Sequence, residues 1–419
     1  TRSGSVAALH DQILGAPQRS QARPEAVAAV GGFPHKLADW AAFFTTFSFS
    51  AFFFSVFLAG CQKGTSEIVI GVAGPMTGDQ SKLGGDVERG ARLAVEEWNG
   101  RGGINGKKLR LEVGDDQHDP KQAVSVANKL VNSGIVGVVG HFNSSASIPA
   151  SGIYHSAGIP MITPGSTNPK LTEQGFWNVF RVCGRDDQQG KVGADFVGGK
   201  LQLKRVAILH DKTTYGQGLA EEFRKHLAAF PGVEVVSFDG ITQGDKDFRG
   251  ILTSIKGKRP DLFFFGGIFP EGGQLVKQAK EVGLSAPMLS GDGVIDPKFI
   301  EIAGSAAEGT YLTFTPDPEK IPQAKGFLEK YKAQYGPELA PYAIYSYDAA
   351  NILLSVLAEA DREGKIKDEK RVAEMIRGVK YDGAVGRIEF DAKGDVKRSP
   401  YIVWITKNGK FEEFWKPEG

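Results

Sequence analysis

From residue 67 onward, short apolar runs alternate with segments in which apolar residues recur every three or four positions. Residues 68–73 form such a run, and residues 84–99 carry their apolar side chains at helical spacing. A further run at 136–139 continues the alternation, which restarts beyond residue 188. Buried strands separated by helices imply parallel sheets with right-handed crossovers. The sequence therefore predicts an α/β fold with two doubly wound parallel-sheet lobes.

Polar, glycine-rich stretches follow several of the predicted strands. In open parallel sheets, ligands bind beyond the carboxyl ends of the strands. None of these stretches carries a Gly-x-Gly-x-x-Gly or Walker pattern, so no nucleotide and no other cofactor is expected. The sequence predicts a cleft for a small ligand, lined by "HFNSSAS" (141–147), "TPGSTNP" (163–169), "DKTTYGQG" (211–218) and "GDG" (291–293).

Asn143 and Ser144 stand where a buried strand passes into a helix. Short polar side chains at this point accept hydrogen bonds from the unpaired N–H groups of the first helical turn. The same N–H groups, together with the helix dipole, also bind anions such as a ligand carboxylate. The stretch alone leaves both interpretations open.

The residues that might suggest an enzyme or a metal site do not form a recognisable set. The chain has no Gly-x-Ser-x-Gly nucleophile elbow. Asp115, Asp116, His118 and Asp119 cluster in the sequence, but Asp119 is predicted to cap the next helix. The others supply too few oxygen ligands for a hard cation. We expect neither catalysis nor a metal.

Composition excludes two further classes. The 419 residues carry a formal net charge of +1, so no basic stripe indicates a nucleic-acid partner. The two cysteines, Cys61 and Cys183, allow at most one disulfide, which cannot be the framework of a chain this long.

Cys61 has a separate predicted role. Residues 41–60 contain eight Phe and no charged residue, and they end in Leu-Ala-Gly before Cys61. This ending resembles the bacterial lipobox, in which the cysteine receives lipid and becomes the new N-terminus. A retained membrane span is the alternative, since about 20 apolar residues cross a bilayer. We expect residues 1–61 to be a leader and lipoprotein signal, although residues 1–34 do not resemble a normal leader.

Several long motifs carry a family likeness. "DDQHDPKQAVSVANKLV", "GHFNSSASIPAS", "HDKTTYGQGLA" and "GGIFPEGGQLVKQAKEVGL" resemble the leucine/isoleucine/valine-binding proteins of bacterial ABC importers, and the likeness covers 67–419. It implies a type I periplasmic-binding-protein fold, the Venus-flytrap architecture, with three segments crossing between two lobes. The implied lobes are 67–187 with 314–393, and 188–313 with 394–419.

The resemblance also implies roles for single residues in binding the polar groups of a ligand. Ser144 and Thr167 match positions that hold the α-carboxylate, beside backbone groups of Phe142 and Gly165. Asp292 stands where the family usually has a Glu that pairs with the α-ammonium. Thr167 could instead be a turn residue, and Asp292 could belong to an Asp-Gly turn.

The aromatic and apolar positions carry over with some departures. Tyr215 matches an aromatic that closes over the ligand from the opposite lobe, although a buried tyrosine also serves for packing alone. His118 and Asn143 stand where some family members have a cysteine pair. The remaining candidates form the wall of a side-chain pocket, and they are Leu83, Ile268, Phe269 and Tyr342.

The predicted function follows from the resemblance. It implies a periplasmic or cell-envelope binding protein that is expected to be a monomer, and the lipobox-like ending before Cys61 adds a lipid anchor to the membrane. This protein would capture an aliphatic, branched-chain or related apolar amino acid and deliver it to the permease of an ABC importer. Two alternatives remain: a binding protein for a non-amino carboxylate such as an aromatic acid, and a ligand-sensing receptor module.

Overall fold

The computed structural model describes residues 67–337 and 340–418. Cys61 and its predicted lipid attachment lie outside the described residues. Within that part of the chain, no helix is both long enough and apolar enough to cross a membrane.

The first sheet has five parallel strands in the order β2-β1-β3-β4-β5. Four helices connect its strands along the chain, as parallel pairing requires. The strands are β1 (Ile68–Gly74), β2 (Leu109–Asp115), β3 (Val138–Val139), β4 (Met161–Thr163) and β5 (Val179–Arg181). The helices are α1 (Ser81–Gly100), α2 (Pro120–Asn132), α3 (Ser144–Ser156) and α4 (Lys170–Glu173).

The second sheet has seven strands in the order β14-β13-β10-β9-β8-β6-β7. Five of them are parallel, and the last two pair antiparallel at one edge. The strands are β6 (Arg205–His210), β7 (Glu234–Gly240), β8 (Leu262–Gly266), β9 (Met288–Ser290), β10 (Tyr311–Phe314), β13 (Ile402–Lys407) and β14 (Lys410–Trp415). The helices between them are α5 (Asp186–Ala194), α6 (Thr214–Leu227), α7 (Arg249–Gly257), α8 (Phe269–Val282) and α9 (Pro297–Ala303).

Three segments of the chain cross between the two sheets. The first follows β5, the second follows β10, and the third leads to β13. Between the second and third crossings the chain returns to the first sheet, where α11 packs against α1, β3 and β4. The elements of this part are α10 (Lys325–Tyr335), α11 (Ala343–Arg362), α12 (Glu369–Arg377) and the hairpin of β11 (Lys380–Gly383) with β12 (Gly386–Glu389). The predicted fold class is confirmed.

Local sequence signals explain where α2 begins. Asp119 precedes α2, and its carboxylate accepts hydrogen bonds from the backbone N–H groups of Lys121 and Gln122, both at 2.8 Å. Pro120 occupies the first helical position, where a missing N–H costs nothing. The predicted cap at Asp119 is confirmed, so this carboxylate is committed to the helix.

A buried ion-pair cluster fixes the first and third crossings against each other. Asp395 lies on the third crossing, and its carboxylate accepts hydrogen bonds from Arg181 Nε and Arg185 Nη1, both at 2.6 Å. Thr172 adds its hydroxyl at 2.9 Å. Burial alone would raise the pKa of Asp395, but the two arginines and Thr172 hold it below its usual value. The crossings therefore form a charged, fully paired joint between the sheets.

Candidate functional site

The N-terminus of α3 is the start of the helix at which the sequence leaves a cap or an anion site open. Asn143 occupies the N-cap position, but no side chain caps the helix. The Asn143 Nδ2 group donates to Gln80 Oε1 at 2.8 Å instead. Ser144 is the first helical residue, and its hydroxyl accepts a hydrogen bond from the backbone N–H of Asn168 at 3.2 Å. The interpretation of Ser144 as a helix cap is therefore wrong, because its hydroxyl binds Asn168 in the loop after β4 and not a backbone N–H group of α3.

The loop after β4 lies beside this helix. Thr167 is 1% exposed, and its hydroxyl has no hydrogen-bond partner of regular geometry among the described residues. Gly165 leaves room for the ring of Phe142, because a Cβ at Gly165 would collide with that ring. Phe142 also packs edge-on against Tyr342, with ring centroids 4.6 Å apart. The structure thus brings together the residues predicted on the first sheet and Tyr342.

Asp292 follows β9 on the second sheet and begins a short 3-10 turn at Asp292–Val294. Its carboxylate accepts hydrogen bonds from the Tyr215 hydroxyl at 2.8 Å, from Gln189 Nε2 at 3.0 Å and from the Tyr342 hydroxyl at 3.0 Å. Burial raises the pKa of Asp292, and the three donors oppose that rise. Asp292 is therefore both a turn residue and the centre of a buried hydrogen-bond network.

Asp186 is a further candidate site residue that is not among those predicted from the sequence, although it follows β5 as the other candidates follow their strands. It is fully buried, and neither carboxylate oxygen accepts a hydrogen bond of regular geometry within the described residues. Burial raises the pKa of Asp186 well above its usual value, and the negative charge of Asp292 raises it further. Thr167 lies close enough for its hydroxyl to oppose that rise by hydrogen bonding. Two buried carboxylates therefore share one region without a lysine, arginine or histidine in salt-bridge distance among the described residues.

Gln189 and Asn168 are two further buried polar residues of the candidate site. Gln189 is 1% exposed; its Nε2 group binds Asp292, while its Oε1 atom has no partner in the described part of the chain. Asn168 donates through Nδ2 to the backbone carbonyl of Thr214 at 2.8 Å.

Three predicted pocket residues remain apart from the hydrogen-bond network. Leu83 and Phe269 are buried in the same apolar cluster as Phe142 and Tyr342. Ile268 is 4% exposed at the N-cap position of α8. No hydrogen bond or ring contact joins any of the three to Asp292 in the described structure. Their predicted role as a pocket wall thus rests on burial near the aromatic residues and stays a prediction.

The cluster around His118 has a structural role. His118 Nδ1 contacts Gln80, and it also contacts Gln243 Nε2 of the second sheet's lobe at 2.6 Å. Burial lowers the pKa of His118 to about 4. Asp116 pairs with the buried His141 at 2.6 Å. Among the described residues, no group of three or more His, Cys, Asp or Glu side chains is placed to hold a metal.

Comparison with known proteins extends these observations. The family model described as periplasmic binding protein matches residues 67–410. An amino acid binding protein of Pseudomonas aeruginosa is 44% identical over 353 residues, which is 83% of this chain and 92% of that protein. A Leu/Ile/Val-binding protein homolog of Brucella suis is 39% identical over 346 residues, covering 82% of this chain and 91% of its own.

A solved structure agrees with the sequence relatives. The branched-chain amino acid transporter substrate-binding protein LivJ of Streptococcus pneumoniae, in complex with isoleucine, superposes with a TM-score of 0.76. It is 31% identical, and the match covers 84% of this chain and all of that one.

Proposed function

This chain belongs to the periplasmic binding proteins, and from that membership we propose that it binds an amino acid with an apolar side chain for an ABC importer. The proposed site lies between the two sheets, at the carboxyl ends of their strands. We assign 67–187 with 314–393 to one lobe and 188–313 with 394–419 to the other. Binding requires no chemical step, and the protein is not proposed to be an enzyme.

The pair of buried carboxylates is the observation that carries this proposal. An unpaired buried charge costs several kcal/mol, so two together favour any cation that can enter between them. Neither oxygen of Asp186 accepts a hydrogen bond of regular geometry among the described residues, and Asp292 retains capacity for a further donor beyond its three bonds. The α-ammonium of an amino acid supplies a positive charge and three donors. We assign Asp186 and Asp292 together as its partners.

The carboxylate of the ligand has a matching site on the first sheet. The uncapped N-terminus of α3 presents backbone N–H groups and the positive end of a 13-residue helix. The hydroxyl groups of Ser144 and Thr167 flank it. Asp292 belongs to the other sheet, so a zwitterion would contact both lobes at once. Such a ligand favours the closed arrangement because only that arrangement offers both sets of contacts.

The side chain of the ligand would face apolar residues. Phe142 and Tyr342 stand beside the proposed ammonium site, and Leu83, Ile268 and Phe269 are the further candidates for the wall. The relatives are named an amino acid binding protein and a Leu/Ile/Val-binding protein homolog, and these names agree with an apolar pocket. An aliphatic amino acid is therefore the proposed cargo.

The cellular part of the proposal concerns delivery. We propose an extracytoplasmic protein that is attached to the membrane through lipid on Cys61 and acts as a monomer. It would hand its ligand to the permease of an ABC importer. A lipid anchor keeps the binding protein near its permease, although a single acyl chain binds membranes only reversibly, so stable attachment needs more than one.

A thermal-shift screen tests the binding function. The purified protein from residue 62 onward is heated with each of the common L-amino acids, and with benzoate and 4-methylpentanoate as carboxylates without an amine. A ligand at 100 times its dissociation constant stabilises the folded protein by about 2.7 kcal/mol. We expect aliphatic amino acids to raise the melting temperature. Stabilisation only by the amine-free carboxylates would contradict the proposal.

A further inference from the structure

One hydrogen bond joins the two lobes directly beside the proposed site. Asn168 lies in the loop after β4 on the first sheet, and Thr214 begins α6 on the second. The Asn168 Nδ2 group donates to the Thr214 backbone carbonyl at 2.8 Å. Asn168 is 3% exposed, so this bond is shielded from water. It forms at the point where α3 and α6 approach each other.

Asn168 is held on its own side by two further bonds. Its backbone N–H donates to the Ser144 hydroxyl at 3.2 Å, and its Oδ1 atom accepts from the backbone N–H of Lys170 at 3.0 Å. On the opposite side, Thr214 precedes Tyr215, whose hydroxyl binds Asp292 at 2.8 Å. The bond therefore connects the residue proposed for the ligand carboxylate with the segment that supports the proposed ammonium site.

Gly218 provides the space for this contact. A Cβ built at Gly218 would collide with Asn168 Nδ2, and apart from the adjacent residues and the backbone of its own helix only Asn168 comes within 4 Å of it. Gly218 is the fifth residue of α6, where glycine is among the least favourable residues for a helix. Its φ is not in the left-handed region, so the backbone does not require glycine. Because Gly218 has no side chain, Asn168 can approach α6 closely.

We propose that Asn168 and Gly218 form an interlobe closure contact that sets how tightly the protein holds its ligand. Neither residue is proposed to touch the ligand. Asn168 is a positioning residue that links Ser144 to α6 when the lobes are closed. Gly218 leaves the space that the Asn168 side chain occupies. This inference rests on the proposed function, because closure matters for affinity only if a ligand is held between the lobes.

Gly218→Ala tests the contact from the second lobe. In an open protein the new methyl group meets nothing, and alanine favours the helix, so the melting temperature without ligand should rise by about 1–2 °C. In the closed protein the methyl group displaces Asn168, so ligand affinity should fall at least about 10-fold, chiefly through faster dissociation. Gly250→Ala in α7, where a Cβ has no neighbour within 4 Å, is the matched control. It should leave affinity unchanged.

Variants of Asn168 complete a double-mutant cycle. Asn168→Ala should weaken binding about 3- to 10-fold, the range for one lost hydrogen bond. Asn168→Asp retains the acceptor for Lys170 but cannot donate to Thr214, and it should weaken binding at least as much. Asn168→Ala with Gly218→Ala should bind like Asn168→Ala alone, because the colliding amide is gone. If the losses of affinity in the two single variants multiply in the double variant, the inference is overturned. An unchanged affinity in Gly218→Ala would also overturn it.

The probes separate this inference from the proposed function. Binding is measured by calorimetry and stopped flow with L-alanine, L-valine, L-leucine, L-isoleucine and benzoate. Binding of benzoate alone by the wild-type protein would contradict the proposed function, and the cycle would then be run with benzoate. Non-additive effects with the probe that binds support the closure contact. Additive effects overturn it while leaving amino-acid binding by the wild-type protein intact.

Discussion

The hydroxyl of Tyr342 donates a hydrogen bond to the carboxylate of Asp292 at 3.0 Å, although the two residues belong to different lobes. Tyr342 directly precedes α11, which packs on the first sheet, and Asp292 follows β9 of the second. Both side chains are buried, at 2% and 4% exposed. The lobes are thus closed at the proposed ammonium site.

Ser144→Ala should weaken amino-acid binding by about 1–3 kcal/mol, because a ligand carboxylate would lose one donor in a buried site. Stability without ligand should fall by no more than about 1 kcal/mol, since the hydroxyl accepts only one bond, from Asn168. Calorimetry and thermal unfolding measure the two effects. A large loss of stability with unchanged affinity would give Ser144 a purely structural role.

Asp186→Asn should stabilise the ligand-free protein by about 1 kcal/mol at pH 7, because it removes a carboxyl group whose ionisation is opposed by burial and by the charge of Asp292. The folded pKa of Asp186 lies above its ordinary value, so the folded state binds its proton more tightly than the unfolded state does. Stability is therefore lost as pH rises above about 4, the ordinary pKa of Asp. Urea unfolding from pH 4 to pH 8 should show a smaller decline for Asp186→Asn than for the wild-type protein. Parallel pH profiles would contradict this assignment.

Asp395→Asn should destabilise the protein by about 3 kcal/mol, because it leaves Arg181 buried beside a neutral partner. The folded pKa of Asp395 lies below its ordinary value, so its contribution is present above about pH 4 and is lost on acidification. Chemical denaturation at pH 7 measures the effect. Glu412→Gln, at an exposed position of β14, is the control and should change stability by less than about 0.5 kcal/mol. Equal effects of the two substitutions would contradict a stabilising joint at the crossings.

Cys61→Ser should abolish lipid attachment, because a hydroxyl does not replace the thiol that accepts the diacylglyceryl group. In cells labelled with radioactive palmitate, the wild-type precursor should carry label and the variant should not. Unchanged labelling would exclude the lipobox interpretation. Cys183→Ser is the control, because Cys183 is buried and burial raises the pKa of its thiol.

Much of this architecture can be predicted because it is encoded locally. Buried parallel strands are short apolar runs, and each is followed by a polar loop at the cleft. This pattern points to the loops that contain Ser144, Thr167 and Tyr215, and the family resemblance singles out the residues within them. Asp119 can be assigned to a cap because its partners are two and three positions away.

The features that the sequence does not reveal depend on distant partners. Arg181 ends β5 and resembles a solvated residue in the sequence, yet it is fully buried because Asp395 reaches it from the third crossing. Asp186 follows the same strand, and its burial near Asp292 of the other sheet cannot be inferred from its neighbours in the chain. The cap interpretation of Ser144 fails for the same reason, since its hydroxyl binds a loop from the next strand rather than its own helix.

The central claim is that Asp186 and Asp292 bind the ammonium group of an amino acid, and calorimetry of one ligand pair tests it most directly. L-Leucine and its deaminated analogue 4-methylpentanoate are titrated into the wild-type protein, Asp186→Asn and Asp292→Asn. Each substitution should weaken leucine binding by at least about 2 kcal/mol, the lower range for truncating a buried charge pair, and should leave 4-methylpentanoate binding unchanged or tighter. Equal leucine affinity in all three proteins would contradict the claim and leave an amine-free carboxylate as the cargo.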